Sequence, residues 1–272
     1  TGRQRDIRGY AMHLKNMIEA AAGFFAVRKC AVCGKVLSDE ERGAFCSACE
    51  EKYRALKDEV CTVCGRTSAY CRCACVGDFR DIGASRMLHL FFYDGDFSRR
   101  VIYALKNGGK ARLMKALAHE LAELIYLSKG SDDISAYTVT YVPRSRRNIK
   151  KYGFDQAKMM AKYIARELDI PFLRTLVRIG SYSQKAASAE ERRERAKLSY
   201  ALADSDIAGR KFIIIDDVIT SGSTLHACIS LLREAGASQI IAATAAKTQY
   251  SAESYDETDA DMRGEYIFPM GY

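Results

Sequence analysis

The sequence predicts an α/β chain: a parallel sheet flanked by helices, preceded by a small cysteine-rich module that binds metal. Three observations carry this expectation. The apolar run Phe212-Ile-Ile-Ile215 leads into two carboxylates, Asp216 and Asp217, then a hydroxyl-rich loop around Gly222, then a helix-like segment from Leu225 to Glu234. An unbroken apolar run of this kind reads as a strand buried on both faces, as in a parallel sheet. Strand-like and helix-like stretches succeed one another from Met87 to Ala246. Nine of the ten cysteines lie between Cys30 and Cys75.

The 272 residues suffice for one large domain and a small one, and a hydrophobic content of 48% supports a substantial core. No apolar run approaches the ~20 residues of a membrane helix. Gly9 to Phe25 is interrupted by His13, Lys15, Asn16 and Glu19. That makes it a poor signal peptide and a better amphipathic helix starting near Met12. With no export signal, cysteines crowded in close pairs point to metal binding in a reducing cytosol rather than to disulfides. A cytoplasmic location follows as the expectation. Cys228 stands apart and reads as a small buried hydrophobe. The formal net charge is +8, but Val142 to Tyr200 alone holds 15 Lys/Arg against 6 Asp/Glu. Such a local field suits a polyanion: pyrophosphate, nucleic acid or both.

Taken in order, Cys30-x-x-Cys33-Gly34 and Cys46-x-x-Cys49 are two knuckles with 12 residues between them. Cys61-x-x-Cys64-Gly65 and Cys71-x-Cys73 make a second set of four. A C-x-x-C spacing brings two thiolates onto one ion, and four sulfurs make a closed tetrahedral zinc site. One zinc is expected on Cys30, Cys33, Cys46 and Cys49. A second is expected on Cys61, Cys64, Cys71 and Cys73, with Cys75 as the alternative to Cys73. Glu50 to Val60 reads as a short helix between the two ribbons.

Val76 to Arg86 is a link. Met87 to Tyr93 is a strand, Asp94-Gly95 a turn, and Phe97 to Lys106 a helix stopped by Asn107-Gly108-Gly109. Leu113 to Leu127 is a periodic helix, and Tyr137 to Val142 a β-branched strand that ends at Pro143. Arg144-Ser145-Arg146-Arg147 is read as a basic loop ahead of a helix from Ala157 to Leu168, an arrangement that holds fixed positive charge over an anion. Thr175 to Ile179 is a short strand. Ser181 to Glu190 is small and polar, which suits a mobile lid. Gly236 ends the helix after the Gly222 loop, Gln239 to Ala246 is the last strand, and Gln249 to Tyr272 is a tail.

The chemistry concentrates around Gly222. The strand is expected to end at Asp216 and Asp217. The loop Thr220, Ser221, Gly222, Ser223 and Thr224 then lies at the carboxyl end of the sheet, where open α/β sheets bind ligands. Backbone N–H groups beside a helix N-terminus cradle a phosphate, and glycine allows close approach. The two aspartates would face sugar hydroxyls or a bound cation. No Gly-x-x-x-x-Gly-Lys-Ser/Thr occurs, which sets a P-loop aside.

Asp216 to Thr224 closely resembles the phosphoribosyl-pyrophosphate (PRPP) motif of type I phosphoribosyltransferases. From about Leu14 to Lys247 the chain resembles the ComF competence family, which joins a double zinc ribbon to a phosphoribosyltransferase-like domain. The marks are the paired knuckles, Leu105-Lys106 before a glycine turn, and Val142-Pro143 with basic residues. Tyr152-Gly-Phe-Asp-Gln156, Gln184 followed by Arg192, and the PRPP motif complete the set. The family usually reads Arg-Gly-Phe-Asn-Gln where Tyr152 to Gln156 stand.

The resemblance implies an N-terminal extension over 1–27, a double zinc ribbon over 28–77, a phosphoribosyltransferase-like domain over 78–250 and a tail over 251–272. It implies PRPP or a related phosphosugar, with Mg²⁺ accompanying PRPP: the 5-phosphate on Thr220 to Thr224, the ribose hydroxyls at the catalytic Asp216 and Asp217, and the pyrophosphate on Arg144, Ser145 and Arg146. The expected reaction releases pyrophosphate to an acceptor that the motif does not identify. The implied role is in DNA uptake during natural transformation, alongside other DNA-uptake proteins. The alternative is a non-catalytic module that binds single-stranded DNA and keeps only the phosphate cradle.

Overall fold

The computed structural model describes residues 27–71, 83–107, 111–180, 198–203 and 206–249. Four strands form one parallel sheet: β1 (Ala84–Phe92), β2 (Tyr137–Tyr141), β5 (Lys211–Ile219) and β6 (Gln239–Lys247), in the order β1-β6-β5-β2. A short antiparallel pair, β3 (Leu176–Arg178) and β4 (Tyr200–Leu202), stands beside it. The two central strands carry the apolar runs seen in the sequence, and Phe212 to Ile215 and Ile240 to Ala243 are wholly buried. Burial on both faces is what the absence of polar alternation requires.

Helices cover both faces. On one side lie α1 (Ser47–Asp58), α2 (Gly95–Lys106), α3 (Ala111–Ser128) and α5 (Gln156–Glu167), and their apolar stripes join Ile213, Ile215 and Ile241 in one core. On the other side α6 (Ser223–Glu234) packs Leu225, Ile229 and Leu232 on Phe212, Ile214 and Ile240, together with Leu176 and Tyr200. At the amino edge of the sheet Asp132 pins three strand starts. Its carboxylate accepts from Tyr137 Oη at 3.0 Å, Lys211 Nζ at 3.1 Å and Gln239 Nε2 at 2.8 Å.

Three local readings change. β5 does not stop at Ile215 but runs to Ile219, with Asp216 opposite Thr244 and Val218 opposite Ala246. β6 offers ladder partners as far as Lys247, and β-branched Val218 and Ile219 suit the extended backbone. The basic stretch is not wholly a loop: Arg146–Tyr152 forms α4, capped by Ser145 Oγ, which accepts from Asn148 N at 3.2 Å. Gly153, at φ 82°, ends that helix in the left-handed region. The helix between the knuckles begins at Ser47 rather than Glu50, so Cys49 sits in its first turn and Cys46 is its N-cap.

The cysteine module shares the core of the sheet domain. Tyr53 of α1 is 1% exposed; its ring lies 4.9 Å from Phe45 and meets Phe91 of β1 edge-on at 5.9 Å. Its hydroxyl donates to Glu120 Oε2 of α3 at 3.1 Å, where Lys57 Nζ also lies at 3.0 Å. Ser68 Oγ donates to Leu90 O at 2.5 Å, and Gln249 Oε1 accepts from Thr62 N at 3.0 Å. The outer strand β1 is thus covered by the cysteine module, one way proteins protect a sheet edge. The expected helix near Met12, the Ser181–Glu190 lid, Cys73, Cys75 and the tail fall outside the described residues.

Candidate functional site

The first knuckle pair brings four thiols together. The Sγ atoms of Cys30, Cys33, Cys46 and Cys49 all lie within 4.8 Å of one another, with Cys33 and Cys46 at 3.6 Å. A tetrahedron with Zn–S bonds of ~2.3 Å has edges of ~3.8 Å, so the cluster fits such an ion. Burial opposes ionisation of Cys30, yet the amides of Cys33, Cys46 and Val32 bring its thiol down to about 6. Burial and the three neighbouring sulfurs push Cys49 the other way. Four such groups ionise together only around a cation. Cys61, Cys64 and Cys71 form a second group of three within 4.8 Å.

The acid pair lies near the carboxyl edge of the sheet, in the second half of β5. Asp217 is nearly buried, and its Oδ2 accepts from Arg144 Nη2 in a close ion pair while Lys106 Nζ stands 3.4 Å away. Its Oδ1 accepts from Val218 N at 3.0 Å. Asp216 Oδ1 accepts from Asp217 N at 2.8 Å. Burial, and then the charge of Asp217, raise the Asp216 carboxyl well above the usual carboxylate range. Burial raises the pKa values of Tyr200 and Cys228, and the charge of Asp216 adds to both, which puts Asp216 on their side.

Beyond the pair, Gly222 takes φ 71° and serves as the N-cap of α6. Its left-handed backbone is the conformation that glycine adopts without steric cost. The N-cap is a glycine and offers no side chain to accept from the first-turn amides. Ser221 Oγ and Ser223 Oγ lie 3.1 Å apart, and Thr220 is exposed. The twelve-residue helix begins shortly after the acid pair in the chain, with its positive end following the carboxyl end of β5.

Of the basic residues singled out in the sequence, Arg144 reaches the acids. Ser145 instead caps α4, and Arg146 lies exposed on that helix. Arg144 is held by its backbone N–H, which donates to Asp155 Oδ2 at 3.1 Å, and its guanidinium lies 6.0 Å from the centre of the Tyr152 ring. Asp155 in turn caps α5. Tyr152 therefore offers Arg144 an aromatic face at the position where an arginine is usual in the ComF pattern. Lys106 was not singled out for chemistry from the sequence. The signal was there in Leu105-Lys106 before a glycine turn. What places it is Gln156, whose Nε2 donates to Lys106 O at 2.8 Å and ties the end of α2 to the start of α5.

Residues 155–267 match the family model described as phosphoribosyl transferase domain. Competence protein F of Haemophilus influenzae is 38% identical over 92 residues, which cover 32% of this chain and 40% of that protein. Competence protein ComFC of Bacillus subtilis is 26% identical over 196 residues, 70% of this chain and 78% of that one. ComFC of Streptococcus pneumoniae is 22% identical over 226 residues, 78% of this chain and 96% of that one. The chain is similar to these competence proteins of the ComF type along most of its length. The ComF-type order, cysteine clusters followed by a phosphoribosyltransferase-like parallel sheet flanked by helices, is also the order of the described elements. Among the described residues no helix is long and apolar enough to cross a membrane.

Proposed function

We propose that this ComF-type protein binds PRPP with Mg²⁺ at the Gly222 loop and works as a phosphoribosyltransferase in the handling of incoming DNA. The observation that carries the reading is the adjacent pair Asp216 and Asp217 shortly before a helix N-terminus capped by glycine, with Arg144 and Lys106 within reach of Asp217. The first-turn amides of α6 and the hydroxyls of Thr220 to Thr224 take the 5-phosphate. Asp216 and Asp217 accept from the ribose hydroxyls, and they are the residues that would hold Mg²⁺, which supplies charge neutralisation on the diphosphate. Arg144 and Lys106 exchange Asp217 for the pyrophosphate as it departs. Positioning and fixed charge supply the catalysis in such a site. The direct test is pyrophosphate release from PRPP across candidate acceptors, with and without single-stranded DNA.

Keeping Asp216 has a cost in stability that can be measured. A carboxyl whose folded pKa is raised keeps its proton in the native state after the unfolded chain has lost it. Its favourable contribution is therefore complete below the unfolded pKa of ~3.9 and is lost as pH rises above it. Asp216→Asn should melt above wild type at pH 8 by at least ~2 °C, about the shift that 1 kcal/mol gives in a chain of this size. The two curves should converge near pH 4. A lower melting point for the variant at pH 8 would mean that the Asp216–Asp217 amide contact outweighs the burial.

The competence names of the relatives support a role in DNA uptake. The second reading, a module that binds single-stranded DNA, is favoured by α4, whose Arg146, Arg147, Lys150 and Lys151 are all exposed. Weak, sequence-independent binding that falls steeply with salt is expected. Neutralising Arg146, Arg147 and Lys151 together should flatten the log–log salt slope by about 2, at ~0.7 per lost phosphate contact. An unchanged slope would take the binding surface off α4. The thiolate clusters are assigned to zinc, and the reducing compartment they need is the cytoplasm.

A further inference from the structure

A cleft of about 500 Å³ opens between the first knuckle and α2. Its wall carries Arg99, Arg100, Tyr103 and Lys106 from α2, Tyr93 just beyond β1 and Val32 from the knuckle, and among the described residues no carboxylate lines it. Arg99 and Arg100 are exposed, and neither forms an ion pair among the described residues. Tyr103 is 70% exposed, four residues beyond Arg99 and three beyond Arg100, so the ring and both guanidinium groups share one helix surface. An aromatic side chain left that open gains little from packing at home. Beside two arginines with no ion pair among the described residues, it offers a stacking face next to a phosphate grip. The volume falls in the range of small-ligand sites.

We propose that this cleft binds a nucleotide, with the base against Tyr103 and Tyr93 and the phosphate on Arg99 and Arg100. An inorganic anion would need the arginines and leave the tyrosines unused; a neutral aromatic would do the reverse. The site is separate from the Gly222 loop but touches it through Lys106, which lines the cleft while its Nζ lies 3.4 Å from Asp217 Oδ2. A nucleotide phosphate drawing on Lys106 weakens its hold on Asp217, so the two sites communicate through one ammonium group.

The experiment is calorimetry of the full, metal-loaded chain with adenosine 5′-monophosphate, in the presence of excess ribose 5-phosphate to fill the phosphate cradle. Adenosine alone is the probe without a phosphate. The monophosphate should still bind, and adenosine should bind more weakly. Arg99→Ala with Arg100→Ala should lower affinity at least about tenfold, as loss of charge-assisted contacts does. Tyr103→Ala should lower it about fivefold or more, as loss of a stacking face does. All three side chains are exposed, so circular dichroism should show the variants folded. The proposal is overturned if wild type does not bind the monophosphate, if ribose 5-phosphate displaces it completely, or if both variants bind it as wild type does.

Discussion

Replacing Cys49 with serine, or stripping metal with a chelator, should unfold far more than the first knuckle. Cys49 lies in the first turn of α1, and Tyr53, one turn on, lies against Phe91 of the edge strand β1. Phe45, Tyr53 and Leu56 belong to the same continuous core as Leu88, Leu117 and Ile213. Metal affinity in such modules is folding free energy, of order 10 kcal/mol for a structural zinc. Losing the ion releases the Tyr53 plug, and emptying a buried aromatic site costs about 3–5 kcal/mol by itself. The wild-type protein should carry two zinc ions. Cys49→Ser should carry one, and it should melt lower by about 10 °C or more, at 2–4 °C per kcal/mol. Hydrogen exchange should lose protection in Leu88 to Phe92 together with 28–58. Wild-type protection in β1 of the variant would make the knuckle an appendage and refute the shared core. Metal analysis that found disulfides in place of zinc would overturn both the ligand assignment and the compartment.

That coupling was the part of the fold least legible in the sequence. The cysteine spacing identified the first cluster outright, because C-x-x-C has few other uses. Nothing in it shows which surface Phe45 and Tyr53 face, since one apolar side chain per turn of a short helix fits a module core as well as a shared one. The buried strands were legible because Phe212 to Ile215 and Ile240 to Ala243 have no polar alternation. Their ends were not: a ladder partner that runs on to Lys247 carries β5 past two aspartates whose own propensity says stop. In the site, the loop and the acids were legible as types at fixed spacing. Arg144 and Ser145 stood side by side in the sequence, and only the capping hydrogen bond of Ser145 turns one toward α4 while the other pairs with Asp217. Lys106 lies far away in the chain and comes to Asp217 through the length of α2 and the Gln156 contact, neither of which a local motif records.

A roughly tenfold to hundredfold loss of PRPP affinity is expected from Asp216→Asn combined with Asp217→Asn. Asp217 is the counter-ion of Arg144 and Lys106 and, in the proposed function, an acceptor for the ribose; the two roles make opposite predictions. A counter-ion alone would release two cations when neutralised, so the variant would bind inorganic pyrophosphate more tightly and PRPP no worse. A ribose acceptor loses charge-assisted hydrogen bonds that an amide reproduces poorly. Bonds of that kind contribute ~1.5–3 kcal/mol, about tenfold to a hundredfold in affinity. The double variant should therefore bind PRPP with Mg²⁺ more weakly by that factor, while its affinity for pyrophosphate stays level or rises. Gly222→Val acts on the other half of the site. At φ 71° a β-branched residue is a conformational outlier, so the loop must shift and the first-turn amides of α6 lose their common focus. Its PRPP affinity should fall further than that of either threonine variant, Thr220→Ala or Thr224→Ala, which keep the backbone donors. Titration of PRPP with Mg²⁺ by calorimetry into wild type, the double Asn variant and Gly222→Val is the most direct measurement of the central claim. Clear binding to wild type, a tenfold to hundredfold loss in the double variant and a comparable or larger loss in Gly222→Val is the result expected. No binding to wild type, or equal binding to all three, would contradict it and leave the cradle a remnant of the fold.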